Sequence, residues 1–187
     1  MPRDEEEVVR GVRLAVDVGS VRVGLATSDP DGLVATPVAT LARAKAKPGR
    51  GLPADLAQIV HEVGERGAAV VYVGLPRHLS GTEGAASGAA RAYAVQLAQA
   101  VAPVRVRLVD ERMSTVSAHQ ALHASGRSGR SHRQVVDQAA AVVILQYALD
   151  AERATGRRPG ERVDADPPQH GPAARGGTAG DGGTTLE

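Results

Sequence analysis

Apolar residues gather in short runs through the first third of the chain and recur at helical spacing later. Residues 14–18 and 23–27 are compact runs of Val, Ala and Leu joined through a Gly-containing turn, which predicts a β-hairpin. Asp29-Pro30-Asp31-Gly32 is a strong turn sequence, and residues 34–40 after it predict a third strand that completes a meander. Residues 44–53 form a loop of Lys, Gly and Pro. The segment 55–66 sets Leu56, Ile59, Val60 and Val63 on one helical face and stops near Gly67. Residues 70–75 form a continuous apolar run ending at Pro76, as in a buried parallel strand. A loop over 81–88 leads into a helix over 91–100, and residues 104–109 predict a fifth strand. A short helix over 115–124 is stopped by Gly126. The longest helix, 131–153, opens on Ser131-His132-Arg133-Gln134, a sequence of capping-box form.

This order, β-β-β-α-β-α-β-α-α, predicts an α/β fold: a five-stranded mixed sheet, antiparallel meander plus parallel strands, with helices on both faces. Residues 1–11 lack periodicity and read as a flexible arm, and 12–154 form one domain. Residues 155–187, mostly Gly, Pro, Arg and Asp, bury too little apolar surface to offset ordering and are expected to be disordered. With no Phe or Trp and three Tyr, the core must be built from Ala, Val, Leu and Ile, and an aromatic base-stacking sheet is not expected. The absence of Cys excludes disulfides and thiolate metal sites and is compatible with a reducing compartment. Neither a signal peptide nor a long apolar run is found, so a soluble cytoplasmic protein without membrane partners is expected. Net charge is +1, yet from Arg13 to Ala154 the chain carries 16 Lys and Arg against 12 Asp and Glu. That surplus permits nucleic acid binding without requiring it.

Acidic residues stand where apolar ones belong. Asp17 lies inside the first apolar run, where an ionised carboxylate costs several kcal/mol unless a cation or hydrogen-bond donors compensate it. Asp110-Glu111 closes the fifth strand, and Asp137 sits about two turns into the last helix, followed on its face by Ala140, Ala141 and Ile144. Three separate elements thus each offer a carboxylate. Strand ends of such a sheet share a crevice, and oxygen ligands suit Mg²⁺ or Mn²⁺, a pair of which can hydrolyse phosphodiesters. The structural alternatives are that Asp17 caps the turn at Gly19, Glu111 pairs with Arg112, and Asp137 faces solvent. Asp110 and Glu111 point to opposite faces, so only one of them can face a metal. Arg22, Arg77 and Arg112 lie beside strand ends and could grip phosphates. The Ser- and Gly-rich segment 125–133, with Arg127, Arg130 and Arg133, reads as a clamp on the phosphate backbone or as an ordinary solvated loop. The histidines show no metal-ligand spacing.

Five motifs occur in order: Asp17-Val18-Gly19 with Arg22 and Gly24; Gly74-Leu75-Pro76; Gly81-Thr82-Glu83-Gly84; Asp110-Glu111-Arg112-Met113-Ser114-Thr115; and Val136-Asp137-Gln138-Ala139-Ala140-Ala141. Together they resemble the YqgF/RuvX family, over roughly Arg13 to Glu152. The resemblance implies an RNase H-like fold related to RuvC resolvases. It also implies a site in which Asp17, Glu111 and Asp137 are catalytic and hold Mg²⁺ or Mn²⁺. Ser114 and Thr115 join the arginines as nucleic-acid contacts. Family members are described as nucleases maturing the 5′ end of pre-16S rRNA and as Holliday junction resolvases. The expected partner is therefore structured RNA, with branched DNA as the alternative. The protein would be a monomer or a homodimer, because symmetric junction cleavage requires two sites. Two readings outside the nucleases are a nucleotide binder of actin or sugar-kinase type, which needs two lobes where this chain has length for one, and a non-catalytic module whose acids are structural.

Overall fold

The computed structural model describes residues 8–44, 49, 51–78, 80–111 and 132–165, with backbone alone for 132–138. The expected short helix over 115–124 lies outside the described residues. The meander is formed by β1 (Val12–Val18), β2 (Arg22–Ser28) and β3 (Ala35–Ala42). There follow α1 (Ala54–Arg66), β4 (Ala68–Leu75), α2 (Ala85–Val101), β5 (Arg105–Asp110), α3 (His132–Thr155) and β6 (Glu161–Val163). Strand order in the sheet is β3-β2-β1-β4-β5-β6. β4 lies parallel to both β1 and β5, and the other pairings are antiparallel.

Alternation along the strands feeds two cores. Leu14, Val16, Val23, Leu25, Val71, Val73, Val106 and Leu108 pack on one face under Leu56, Ile59 and Val63 of α1 and Tyr93, Ala94 and Leu97 of α2. Ala15, Ala26, Val70, Tyr72 and Val109 pack on the other under Ala141, Ile144, Leu145, Ala148 and Leu149 of α3. Small residues in β1 and β2 (Ala15 and Ala26) let α3 lie close to the sheet. α1 stops where the pattern expects, because Gly67 takes the left-handed conformation (φ 57°) and its N–H returns to Gly64 and Val63. No described helix is long and apolar enough to cross a membrane.

The sheet has six strands where five are expected, and the boundary placed at residue 155 is corrected with it: residues 155–165 belong to the folded domain. Composition conceals this segment because its apolar share is small, Val163 and Ala165 packing against the α1–α2 core, and polar contacts do much of the rest. Arg107, almost fully buried, donates to the carbonyls of Pro159 (2.8 Å) and Gly160 (2.6 Å). A Cβ at Gly160 would fall 2.2 Å from the Leu108 carbonyl oxygen, and φ there is +84°, so only glycine permits this approach. Arg91 of α2 clasps Glu161 at 2.8 Å.

Between β1, β4 and α3 lies a buried ionic cluster that strand periodicity does not reveal. Arg13 pairs with Glu152 of α3 at 2.8 Å, both 3% exposed, and the Tyr72 hydroxyl donates to the same carboxylate. Burial, followed by the charge of Glu152, raises the Tyr72 pKa, so the phenol remains a donor. Arg158 approaches Glu152 from the β6 side at 4.0 Å. Removing one partner leaves the others charged in a dry interior. Glu152→Gln is therefore expected to cost about 2 kcal/mol, read as a lower urea midpoint with unchanged slope.

Candidate metal centre

Asp17 is the penultimate residue of β1, and its partner across the hairpin is Gly24. On the other side Val16 pairs with Val73, so Gly74 follows beside Asp17. Leu14 and Val16 enter the α1–α2 core while Ala15 enters the α3 core, and by alternation Asp17 faces α3. The same rule separates the two acids at the end of β5. Leu108 belongs to the α1–α2 core and Val109 to the α3 core, so Asp110 faces the former and Glu111 the latter. Side-chain contacts agree. A Cβ on Gly74 would meet Glu111 Oε1 at 2.5 Å and Ile144 Cδ1 at 2.7 Å, which places the Glu111 carboxyl over Gly74 and against α3. Asp110 instead lies 3.8 Å from Arg77.

Burial pushes the Glu111 carboxyl up to about 7, with the charges of Asp17 and Asp110 adding to the effect. Gly74 clears the space for the Glu111 carboxyl, and this pair of hard oxygen donors resists being doubly ionised. Such a donor set fits Mg²⁺ or Mn²⁺. Asp137, the third expected ligand, has its backbone in α3 seven residues before Ile144, about two turns along the same helical face. Its side chain lies outside the described residues, and among the described residues no group of three His, Asp or Glu is arranged to hold a metal.

The basic residues distribute unevenly. Arg22 opens β2, and alternation with Gly24 and Ala26 sets it on the α3 face, as Asp17 is. Arg77 is engaged by Glu83 (3.0 Å) and Asp110 (3.8 Å), on the side away from the Glu111 carboxyl. Arg112, Ser114, Thr115, Arg127 and Arg130 lie outside the described residues, and Arg133 is described only as backbone of α3. Reading the sequence missed the work of Gly74, which makes room for the Glu111 carboxylate. A glycine inside a strand is the signal, since it marks close approach by another group.

The model of the RuvX family, described as Holliday junction resolvase, matches residues 11–151. A Streptomyces coelicolor protein provisionally named pre-16S rRNA nuclease is 52% identical over 161 residues, covering 86% of this chain and 93% of its own. A Kineococcus radiotolerans protein of the same provisional name is 55% identical over 172 residues, covering 92% and 88%. Among solved structures, T. thermophilus RuvC in complex with a Holliday junction substrate superposes with a TM-score of 0.50 at 15% identity, covering 80% of this chain and 99% of that one. At that identity the likeness concerns the fold alone.

Proposed function

This chain belongs to the RuvX family, and from that premise we propose that it is a divalent-metal-dependent endonuclease that trims the 5′ end of pre-16S rRNA. The observation that carries the reading is the shared position of Asp17 and Glu111: two carboxylates from separate strands on one face, in a glycine-lined cradle beside α3. Asp17, Glu111 and Asp137 would hold Mg²⁺ or Mn²⁺. When bound, such ions activate water and stabilise the leaving oxygen in phosphodiester hydrolysis. Arg22 would steady a phosphate next to the scissile one, and Arg127, Arg130 and Arg133 would follow the backbone without reading sequence. Precursor rRNA as substrate implies work in the cytoplasm, and one protomer suffices for a single cut.

The description of the family supports a second reading, cleavage of four-way DNA junctions. Paired symmetric nicks would then need a homodimer. Incubating purified protein with a pre-16S leader transcript and a synthetic junction side by side, with Mg²⁺, Mn²⁺ or chelator, separates the two. The expected result is metal-dependent cutting of the transcript and an intact junction. Junction cutting by a dimer, with the transcript spared, would reverse the assignment.

A further inference from the structure

We propose that Arg43 is a positioning residue for the metal centre, clamping the turn between β1 and β2 from the side of the sheet opposite α3. That turn joins Asp17 to Arg22, and it is closed by the Gly19 N–H donating to the Arg22 carbonyl at 2.9 Å. A Cβ on Gly19 would lie 2.7 Å from that carbonyl oxygen, so the turn is as tight as a backbone allows.

Arg43, just past the end of β3, holds it twice. Its backbone N–H donates to the Val21 carbonyl at 2.8 Å, and its guanidinium donates to the Gly19 carbonyl at 2.8 Å. The guanidinium carbon also lies 4.8 Å from the centre of the Tyr93 ring, within the range of a cation–π contact. Tyr93 is fixed in turn, because its hydroxyl donates to the buried Asp55 carboxylate at 3.1 Å. A line of contacts therefore runs from the first turn of α1, through α2 and Arg43, to a carbonyl two residues from Asp17. A planar guanidinium can stack on a ring while donating in its own plane, whereas a lysine ammonium is a point charge and cannot do both. The geometry assigns Arg43 no contact with substrate; it acts by fixing where Asp17 sits.

The inference rests on Asp17 being a metal ligand, and its test separates that premise from the clamp. Mn²⁺ binding is measured by calorimetry on the full chain, and hydrogen exchange is followed at residues 19–22. Residues that orient metal ligands typically contribute 10–100-fold to affinity, so Arg43→Ala is expected to weaken Mn²⁺ binding by at least ~10-fold and to speed exchange in the turn. Arg43→Lys should fall between Ala and wild type. Tyr93→Phe keeps the ring beneath Arg43 and is expected to hold Mn²⁺ within ~2-fold of wild type, although losing the bond to Asp55 lowers its Tm. Wild-type Mn²⁺ affinity in Arg43→Ala, or an equal loss in Tyr93→Phe, would overturn the clamp by tracing any effect to general destabilisation. Failure of the wild type to bind Mn²⁺ would overturn the metal-site premise and this inference with it, whereas unchanged exchange at 19–22 in Arg43→Ala defeats the clamp alone.

Discussion

Asp17→Asn is expected to abolish metal-dependent cleavage, with a loss of at least ~10³-fold at saturating Mg²⁺, while the protein stays folded. Asparagine fills the same volume between Gly24 and Gly74 and keeps one oxygen acceptor. What disappears is a full negative charge on the α3 face, which a hard divalent cation needs from its ligands. Because the charge of Asp17 is one cause of the raised Glu111 pKa, the same substitution should move the Glu111 titration down towards ordinary carboxylate values. Nucleic acid affinity, set largely by phosphate contacts, should change little. Asp137→Asn is expected to lose activity to the same degree. Single-turnover cleavage of a pre-16S leader, with the Glu111 carboxyl followed by NMR, checks both variants. Undiminished cutting by Asp17→Asn, in protein free of contaminating nuclease, removes the metal centre from the mechanism.

Much of this arrangement was legible in the residues because its signals are local. A charged side chain in an apolar run, such as Asp17, breaks strand patterning and needs no structure to be noticed. Strand periodicity of two also requires that Asp110 and Glu111 diverge, and the packing of Leu108 and Val109 on opposite faces shows which acid turns towards α3. What stayed hidden depends on partners distant in sequence. Arg13 of β1 and Glu152 of α3 meet although 139 residues separate them, and nothing near either one announces the other. β6 was missed for a related reason. Its three residues carry one apolar side chain, and its place is set by Gly160, Pro159 and a buried Arg107. Arg43 stands at the edge of a polar loop, and its role follows from the Gly19 and Val21 carbonyls and the Tyr93 ring, all distant in sequence.

Glu111→Gln is expected to produce a protein that is inactive yet more stable than wild type at pH 8 without metal. The sign follows from linkage. The carboxyl titrates near 4.5 in an unperturbed chain and at about 7 in the fold, so folding favours its neutral form. Its stabilising contribution is complete below pH 4.5 and is lost as pH rises to 7. Above that the ionised group burdens the folded state, and allowing for its partial exposure the penalty is about 2 kcal/mol. Glutamine keeps the shape without the charge, so in chelator at pH 8 the variant should unfold about 4–8 °C higher than wild type. At pH 4.5 the difference should vanish. Adding Mg²⁺ should also narrow it, because a ligand that binds only the folded wild type raises that protein's stability by mass action. Cleavage by the variant should fall by at least ~10³-fold, the cost of removing the charge that weakens the metal-free fold. A wild type as stable as Glu111→Gln in chelator at pH 8 would mean that neither burial nor the neighbouring charge of Asp17 opposes ionisation of Glu111, and the case for a cation beside it would lose its electrostatic basis.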